Sequence, residues 1–253
     1  VGVLRFGANL PSAIGFDFAT GLRDVTGLAV AVDNDATCAA WGEHRRGASA
    51  DARSSLMVTL GTGIGAGIAT DDVLFRGAYG FAGEPGHMMV DPNGPPCPCG
   101  RRGCWERYGS GSGLARLARE AAIAGQVPEV VARAGGDPQD VRGEHVTAAA
   151  ADGDDSAIEV IAQFGWWVAV GIANLVNVLD VETVVVGGGL VAAGDLILGP
   201  VRTAYPDLVY GGQRRPDVPI KPAVLGERAG AIGAALLAAD RARQKTGVEA
   251  PSG

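Results

Sequence analysis

The feature that most constrains the fold of this chain is a group of metal-binding residue types within a segment without predicted helices or strands. Residues 79–113 are rich in Gly, Pro and Cys and are predicted to form a long loop region, which requires an internal staple. The group follows the spacing H-x9-C-x-C-x4-C and consists of His87, Cys97, Cys99 and Cys104. Three thiolates and one imidazole complete the tetrahedral shell of a structural Zn²⁺, with no position for a reactive water. We predict a zinc-binding loop over residues 84–106, against the alternative of reduced cysteines beside an incidental histidine.

The wider composition narrows the class of protein. Of the 253 residues 47% are hydrophobic and 19% are charged, which favours a folded core over a disordered chain. The net charge of −7 offers no basic face for nucleic acid in the part present. The most apolar stretch, residues 164–179, contains two Asn and is too short for a membrane span. With clustered thiols, no predicted disulfide framework and no signal peptide, the chain is predicted to be cytoplasmic.

The order of predicted elements indicates an α/β fold. A meander over residues 55–75 makes the predicted sheet mixed, and the segment 134–155 is predicted to be partly loop. Predicted helices cover residues 17–25, 36–46, 114–124, 129–134, 156–179 and 229–241. Predicted strands cover residues 29–32, 55–60, 73–75, 183–186 and 220–225, together with a strand after the Gly-rich turn at 61–68.

Acidic residues flank the predicted metal loop. Glu84 precedes His87 by three residues, and Glu106 follows Cys104 by two. Carboxylates accept strong hydrogen bonds from sugar hydroxyls, and a zinc-bound His87 keeps its second ring nitrogen for a substrate or a neighbouring group. We interpret the two acids as one wall of a carbohydrate site, although each alone could be a solvated loop residue.

Three further motifs lie at ends of predicted strands. Asn34 and Asp35 stand between a strand and a helix, where a carboxylate can accept a hydroxyl proton or the pair can simply cap the helix. Two glycine turns follow apolar strands. The first could contact a phosphate and the second a nucleoside, but alone each is a weak signal that an ordinary structural turn would also give. The turns are Gly61-Thr62-Gly63 and Gly187-Gly188-Gly189.

Together these motifs resemble the ROK family (repressors, open reading frames, kinases), within the sugar kinase/actin-like ATPase fold, which is ribonuclease H-like. The wording of residues 84–111 is most similar to bacterial glucokinases of that family. The matching segments, which cover nearly the whole chain, are Asn9-Leu10-Pro11, Asn34-Asp35, Leu60-Gly-Thr-Gly-Ile-Gly65, Gly83-Glu-Pro-Gly-His87, Cys97-Pro-Cys-Gly-Arg-Arg-Gly-Cys-Trp-Glu106 and Val186-Gly-Gly-Gly189.

The resemblance implies a hexose kinase that transfers phosphate from ATP, with Mg²⁺, to the sugar 6-hydroxyl. Asp35 would be the catalytic base, and the two glycine turns would contact the phosphates and the nucleoside. His87 and the three cysteines would bind zinc, and the family is often dimeric. The implied sugar contacts are Asn9, Asn34, Glu84, His87 and Glu106.

The resemblance also implies two lobes around a cleft. Residues 1–46 and the helix 229–243 would belong to a small lobe, and residues 47–228 would form the large lobe. The family's Asp-Gly-Gly-Thr type phosphate hairpin belongs upstream of Asn9 and is absent here, so we expect that the sequence begins inside a longer product and that this portion alone is an impaired enzyme.

Other functions fit the same residues. A kinase for N-acetylglucosamine, N-acetylmannosamine or fructose would share the motifs. The motifs also leave open whether polyphosphate can replace ATP as the phosphoryl donor. A sugar-responsive repressor would carry a helix-turn-helix before this part of the chain. A zinc-stapled binding module without catalysis is the third class.

Overall fold

A five-stranded mixed sheet forms the centre of the protein in the computed structural model, which describes residues 2–4 and 11–246. The strands lie in the order β3-β2-β1-β4-β5. The first three form an antiparallel meander, and β1, β4 and β5 run parallel. Their bounds are β1 Ser55–Leu60, β2 Ile64–Thr70, β3 Val73–Phe75, β4 Thr183–Gly187 and β5 Ile220–Pro222.

Helices cover the sheet on both faces, and the predicted mixed α/β class is therefore confirmed. The described part of the chain contains α1 Phe18–Thr26, α2 Asp35–Arg46, α3 Glu106–Gly109, α4 Gly111–Ile123, α5 Pro128–Arg133, α6 Gly143–Ala151, α7 Asp155–Leu179, α8 Asp195–Leu208 and α9 Ala229–Thr246. Short 3-10 turns include Pro85–His87, within the predicted metal loop.

Helix α7 is the central element of the main core. Of the helices in the described part of the chain, it alone has the length and composition of a membrane span, but 56% of its most apolar window is buried inside the protein. Close approaches account for two of its glycines: a side chain at Gly165 would clash with Pro200 of α8, and one at Gly171 would clash with the Trp105 ring. Its apolar character therefore comes from packing against several neighbours.

Helices α2 and α9 pack against each other with very little side chain between them. A Cβ at Gly233 would overlap the Cys38 carbonyl, and a Cβ at Gly42 would clash with the Ala229 carbonyl. On its other side, α2 lies on strand β2, where Gly67 leaves room for Ala40. These contacts hold α2, and with it the motif at its first turn, in one place on the sheet.

One buried carboxylate ties the end of α2 to two distant loops. Glu43 is fully buried. One carboxylate oxygen accepts the Ala48 N–H at 2.7 Å, and the other accepts the Leu225 N–H at 2.8 Å. Ala48 lies on the connection from α2 to β1, and Leu225 on the connection from β5 to α9. Glu43 therefore holds together the connection from α2 to β1 and the connection from β5 to α9.

We expect Glu43→Ala to destabilise the protein by about 3 kcal/mol, because two partly buried amides lose their acceptor. Glu43→Gln keeps one acceptor oxygen and should show a smaller loss. Urea unfolding measures both, with Glu159→Ala on the exposed side of α7 as the matched control. An Ala variant within about 0.5 kcal/mol of wild type, the range typical of surface substitutions, would contradict this role.

The structure corrects several sequence-based boundaries. Residues 29–32 form no strand, because no described segment pairs with them. β5 ends at Pro222, three residues earlier than predicted. Helix α6 lies within the segment predicted as partly loop. Helix α8 was not predicted at all, because Pro200 and Pro206 lie inside it and resemble helix-breaking signals.

Candidate functional site

The four predicted metal ligands converge in the structure. One donor atom from each of them lies within 4.8 Å of the others. The Cys99 and Cys104 sulfurs are 3.6 Å apart, and the Cys97 sulfur is 3.8 Å from Nδ1 of His87. Zn–S bonds of about 2.3 Å in a tetrahedron place the sulfurs roughly 3.7 Å apart, so the group fits a four-coordinate zinc ion. The orientation of His87 would leave its Nε2 for a substrate or a neighbouring group.

The thiols differ in their surroundings. Burial raises the pKa of Cys104 to about 12 and also raises the pKa of Cys97. A hydrogen bond from the Arg101 backbone lowers the pKa of Cys99. A metal ligand must be a thiolate, so a bound cation would have to stabilise the charged forms of the two buried thiols.

The loop that carries these thiols is anchored to the main core by Trp105. This side chain is fully buried between the last cysteine and Glu106. Its indole N–H donates to the Trp167 carbonyl at 2.7 Å, and its ring fills the space that Gly171 leaves on α7. The sequence contained this anchor but gave no sign of its partner, which lies 62 residues away on another element.

A second anchor joins the two ends of the loop. The Tyr108 hydroxyl donates to Oδ2 of Asp91 at 2.6 Å. Burial, followed by this hydrogen bond, raises the pKa of Tyr108 to about 12, and the same bond lowers the pKa of Asp91. The Asp91 backbone also contacts Gly103, whose φ of +64° and lack of a side chain permit the close approach.

Glu106 lies between the metal group and the first glycine turn. One carboxylate oxygen accepts the Ile64 N–H at 3.2 Å, and the other is 3.8 Å from the Cys97 sulfur. A side chain at Gly63 would clash with this carboxylate. The sequence suggested a carbohydrate contact for Glu106, and the structure adds a connection from the metal loop to the turn.

Helix α4 supports the same turn from its other side. The Gly111 N–H donates to the Gly61 carbonyl, and the Ser112 hydroxyl donates to the Thr62 carbonyl, each at 2.7 Å. Within the turn, the Gly61 N–H donates to the Gly63 carbonyl at 3.1 Å. The turn is thus fixed by Glu106 and by the first turn of α4. The predicted start of α4 at residue 114 is three residues too late.

Asn34 and Asp35 lie at the start of α2. The Asn34 side chain accepts the Thr37 N–H at 3.0 Å and caps the helix, and Asp35 is its exposed first residue. Partial burial raises the pKa of Glu84, with further increases from the negative charges of Asp35 and Glu106, while His87 opposes the shift. The three carboxylates therefore belong to one electrostatic neighbourhood beside His87.

The three glycines of the second glycine turn differ in their surroundings. Gly188 has φ +90°, and a side chain there would clash with the Leu60 backbone, whereas the space in front of Gly189 is open. A Cβ at Gly187 would contact the Met57 side chain at 2.7 Å. Packing thus accounts for two of the three glycines, and Gly189 has room for a ligand. Asn9, the remaining predicted contact, lies outside the described residues.

A structural comparison defines the class of this protein. Its fold is similar to that of a ROK family glucokinase from Streptomyces griseus, solved in complex with glucose and AMPPNP. The TM-score is 0.85 at 36% sequence identity, covering 94% of this chain and 77% of that chain. The chain therefore has the mixed α/β fold of the actin-like ATPase sugar kinases, with a Cys₃His group beside the sheet.

The chain belongs to the ROK family, whose model matches residues 4–241. It is 41% identical over 216 residues to the glucokinase of Streptomyces coelicolor, covering 84% of this chain and 68% of that protein. It is also 36% identical over 246 residues to the N-acetylmannosamine kinase of Citrobacter koseri, covering 94% of this chain and 77% of that protein. The resemblance found in the motifs is thereby confirmed.

We expect Tyr108→Phe to destabilise the protein, because a buried hydroxyl–carboxylate hydrogen bond is lost. The pKa of Tyr108 is higher in the folded than in the unfolded protein, so its stabilisation is fully present below pH 10 and is lost as the pH rises towards about 12. Denaturant unfolding of both proteins across this range should show the difference narrowing. A difference that stays constant up to pH 12 would contradict the assignment, and Tyr210→Phe at an exposed position is the control.

Proposed function

We propose that the complete protein is a hexose kinase that transfers the terminal phosphate of ATP to the 6-hydroxyl of glucose. The observation that carries this proposal is a Cys₃His group flanked by Glu84 and Glu106 in a ROK family chain, where the negative charges of Asp35 and Glu106 contribute to the raised pKa of Glu84. Fold similarity to an enzyme solved with glucose and an ATP analogue supports both substrates. The similarity to an N-acetylmannosamine kinase supports other hexoses as alternative substrates.

The sugar in this proposal lies between the start of α2 and the metal loop. Asn34, Glu84, His87 and Glu106 supply acceptors and donors for its hydroxyls, and Asn9 is a further proposed contact. Ionised carboxylates form strong hydrogen bonds with hydroxyl groups. Burial and neighbouring acids raise the pKa of Glu84, and hydrogen bonds from the hydroxyl groups of a bound sugar would stabilise its ionised form.

Asp35 is the proposed general base. As the sugar oxygen attacks the terminal phosphorus, the bond from phosphorus to the bridging oxygen of ADP breaks, and the hydroxyl proton passes to the Asp35 carboxylate. Its position as the exposed first residue of α2 makes the carboxylate accessible to a substrate. Phosphoryl transfer depends mainly on positioning and charge stabilisation, to which base assistance adds roughly 10²–10⁴-fold.

The two glycine turns are the proposed nucleotide contacts. Gly61, Thr62 and Gly63 would approach the phosphates, and Gly187, Gly188 and Gly189 the nucleoside. Mg²⁺ would accompany ATP and offset the phosphate charge. The hydrogen bonds from α4 and Glu106 support this assignment, because a preorganised turn needs little rearrangement when it binds a phosphate.

Zinc has a structural part in this proposal. His87, Cys97, Cys99 and Cys104 would hold it in a closed shell, which keeps the flanking acids in place.

We further propose two lobes, with residues 1–46 and 229–243 in the small lobe and 47–228 in the large lobe. We also propose that the protein is a cytoplasmic homodimer.

Asp35→Asn should lower kcat for glucose phosphorylation by about 10²–10⁴-fold while changing the KM for glucose only a few-fold, because the amide cannot accept the proton. A coupled assay of glucose 6-phosphate formation by the complete protein measures both constants. Asp24→Asn, an exposed position on α1, is the control. A complete wild-type protein that phosphorylates no hexose, or an Asn variant with normal kcat, would contradict the proposed function.

Elemental analysis should find one zinc per chain. Cys99→Ser should remove the metal and raise the KM for both sugar and ATP, because Glu106 connects the metal loop to the first glycine turn. Cys38→Ser is the matched control, since this cysteine lies on α2 apart from the metal group. Full activity in metal-free protein would contradict a structural role for zinc.

A further inference from the structure

Asp33 lies at a junction of charged groups that the proposed mechanism does not use. Its side chain is 16% exposed, and its Oδ2 accepts from Nε of Arg76 at 2.8 Å, with Nη2 of the same guanidinium also at 2.8 Å. Arg241 contributes a second guanidinium, with its Nη2 at 3.7 Å from the same oxygen. The other carboxylate oxygen accepts the Asn34 N–H at 3.1 Å.

The three segments that meet at this carboxylate come from different parts of the fold. Asp33 and Asn34 immediately precede the first turn of α2, Arg241 lies on α9, and Arg76 follows the edge strand β3. The Arg76 carbonyl accepts the Ala82 N–H at 3.2 Å, so the residue also closes the loop that leads into Glu84. Asp33 thus joins the helix that carries Asp35 to the loop that carries Glu84.

Charged groups around the start of α2 act on the pKa of the Cys38 thiol, which lies on this helix. Burial raises the pKa of Cys38; Asp33 and Asp35 raise it further, while Arg76 and Arg241 lower it. The two guanidiniums therefore lie close to the acidic start of α2 and offset part of its negative charge. The Asp35 carboxylate accepts the Ala36 N–H at 2.9 Å and makes no ion pair among the described residues, so its position follows the backbone at the start of α2, which Asp33 and Asn34 help to hold.

We propose that Asp33, through its ion pair with Arg76, is a positioning residue that fixes the Asn34–Asp35 turn opposite the acids of the metal loop. This inference rests on the proposed function, because it assigns the pair to the geometry of phosphoryl transfer. A displacement of about 1 Å in a reacting group can lower a rate by about 10²-fold. The pair is therefore expected to affect turnover more than folding stability.

The test is a double-mutant cycle in the complete protein with Asp33→Asn, Arg76→Met and the combined variant. Each single variant should lower kcat by roughly 10-fold, within the range that a misplaced group allows, and change the KM for glucose less than kcat. The combined variant should be no slower than either single variant, because both remove the same interaction. Arg76→Lys, which keeps the charge without the two-donor geometry, should recover part of kcat.

Asp195→Asn is the matched control, because it removes an exposed ion pair of similar length within α8, Arg202–Asp195 at 2.7 Å. Thermal unfolding of every variant identifies a purely structural effect, and Arg76→Lys provides the kinetic comparison if Asp33→Asn folds poorly. Normal kcat in Asp33→Asn or Arg76→Met, or losses that simply add, would overturn the inference while wild-type activity upholds the proposed function. An inactive wild-type protein would overturn the proposed function and this inference with it.

Discussion

The contact on which the site depends is the one between the Glu106 carboxylate and the Ile64 N–H. It connects a loop held by four potential metal ligands to a turn at the edge of a β-hairpin. Gly63 allows this contact, since any side chain there would occupy the space of the carboxylate. The metal loop and the proposed phosphate turn therefore cannot be positioned independently. Glu106 and the first turn of α4 together hold the turn in place.

The opposite side of the site is ordered by a different means. Helix α2 carries Asp35 on its first turn and is held along its length by backbone contact with α9, by the buried Glu43 and by the Asn34 cap. Regular secondary structure satisfies most of its polar groups locally, so no metal is needed there. The two sides of the site thus combine a helix fixed by packing with a loop that a cation can fix.

The sequence predicted the parts of the site that depend on local spacing. The Cys and His pattern, the cap at Asn34 and the strands β1 and β4 were recognisable because each is defined within a few residues. Glu43, Asp33 and Tyr108 were missed, because their partners are distant in the chain and nothing local distinguishes them from surface residues. The predicted strand at 29–32 fails for a related reason, since a strand exists only when a neighbour pairs with it. Prolines concealed α8, whose Pro200 packs against Gly165 and belongs to the core.

The position of the acids explains why a structural metal suits this fold. Between Phe75 and α3 the chain forms only a short 3-10 turn and isolated bridges, so its backbone lacks the hydrogen-bond ladders that order α2. Ordering such a segment costs conformational entropy for every residue, and Trp105 and Tyr108 fix only its C-terminal end and the part around Asp91. A cation held by His87 near the start and by three cysteines near the end would close the segment into a short loop. Glu84 and Glu106 lie just beyond its ends, where closure restricts them most.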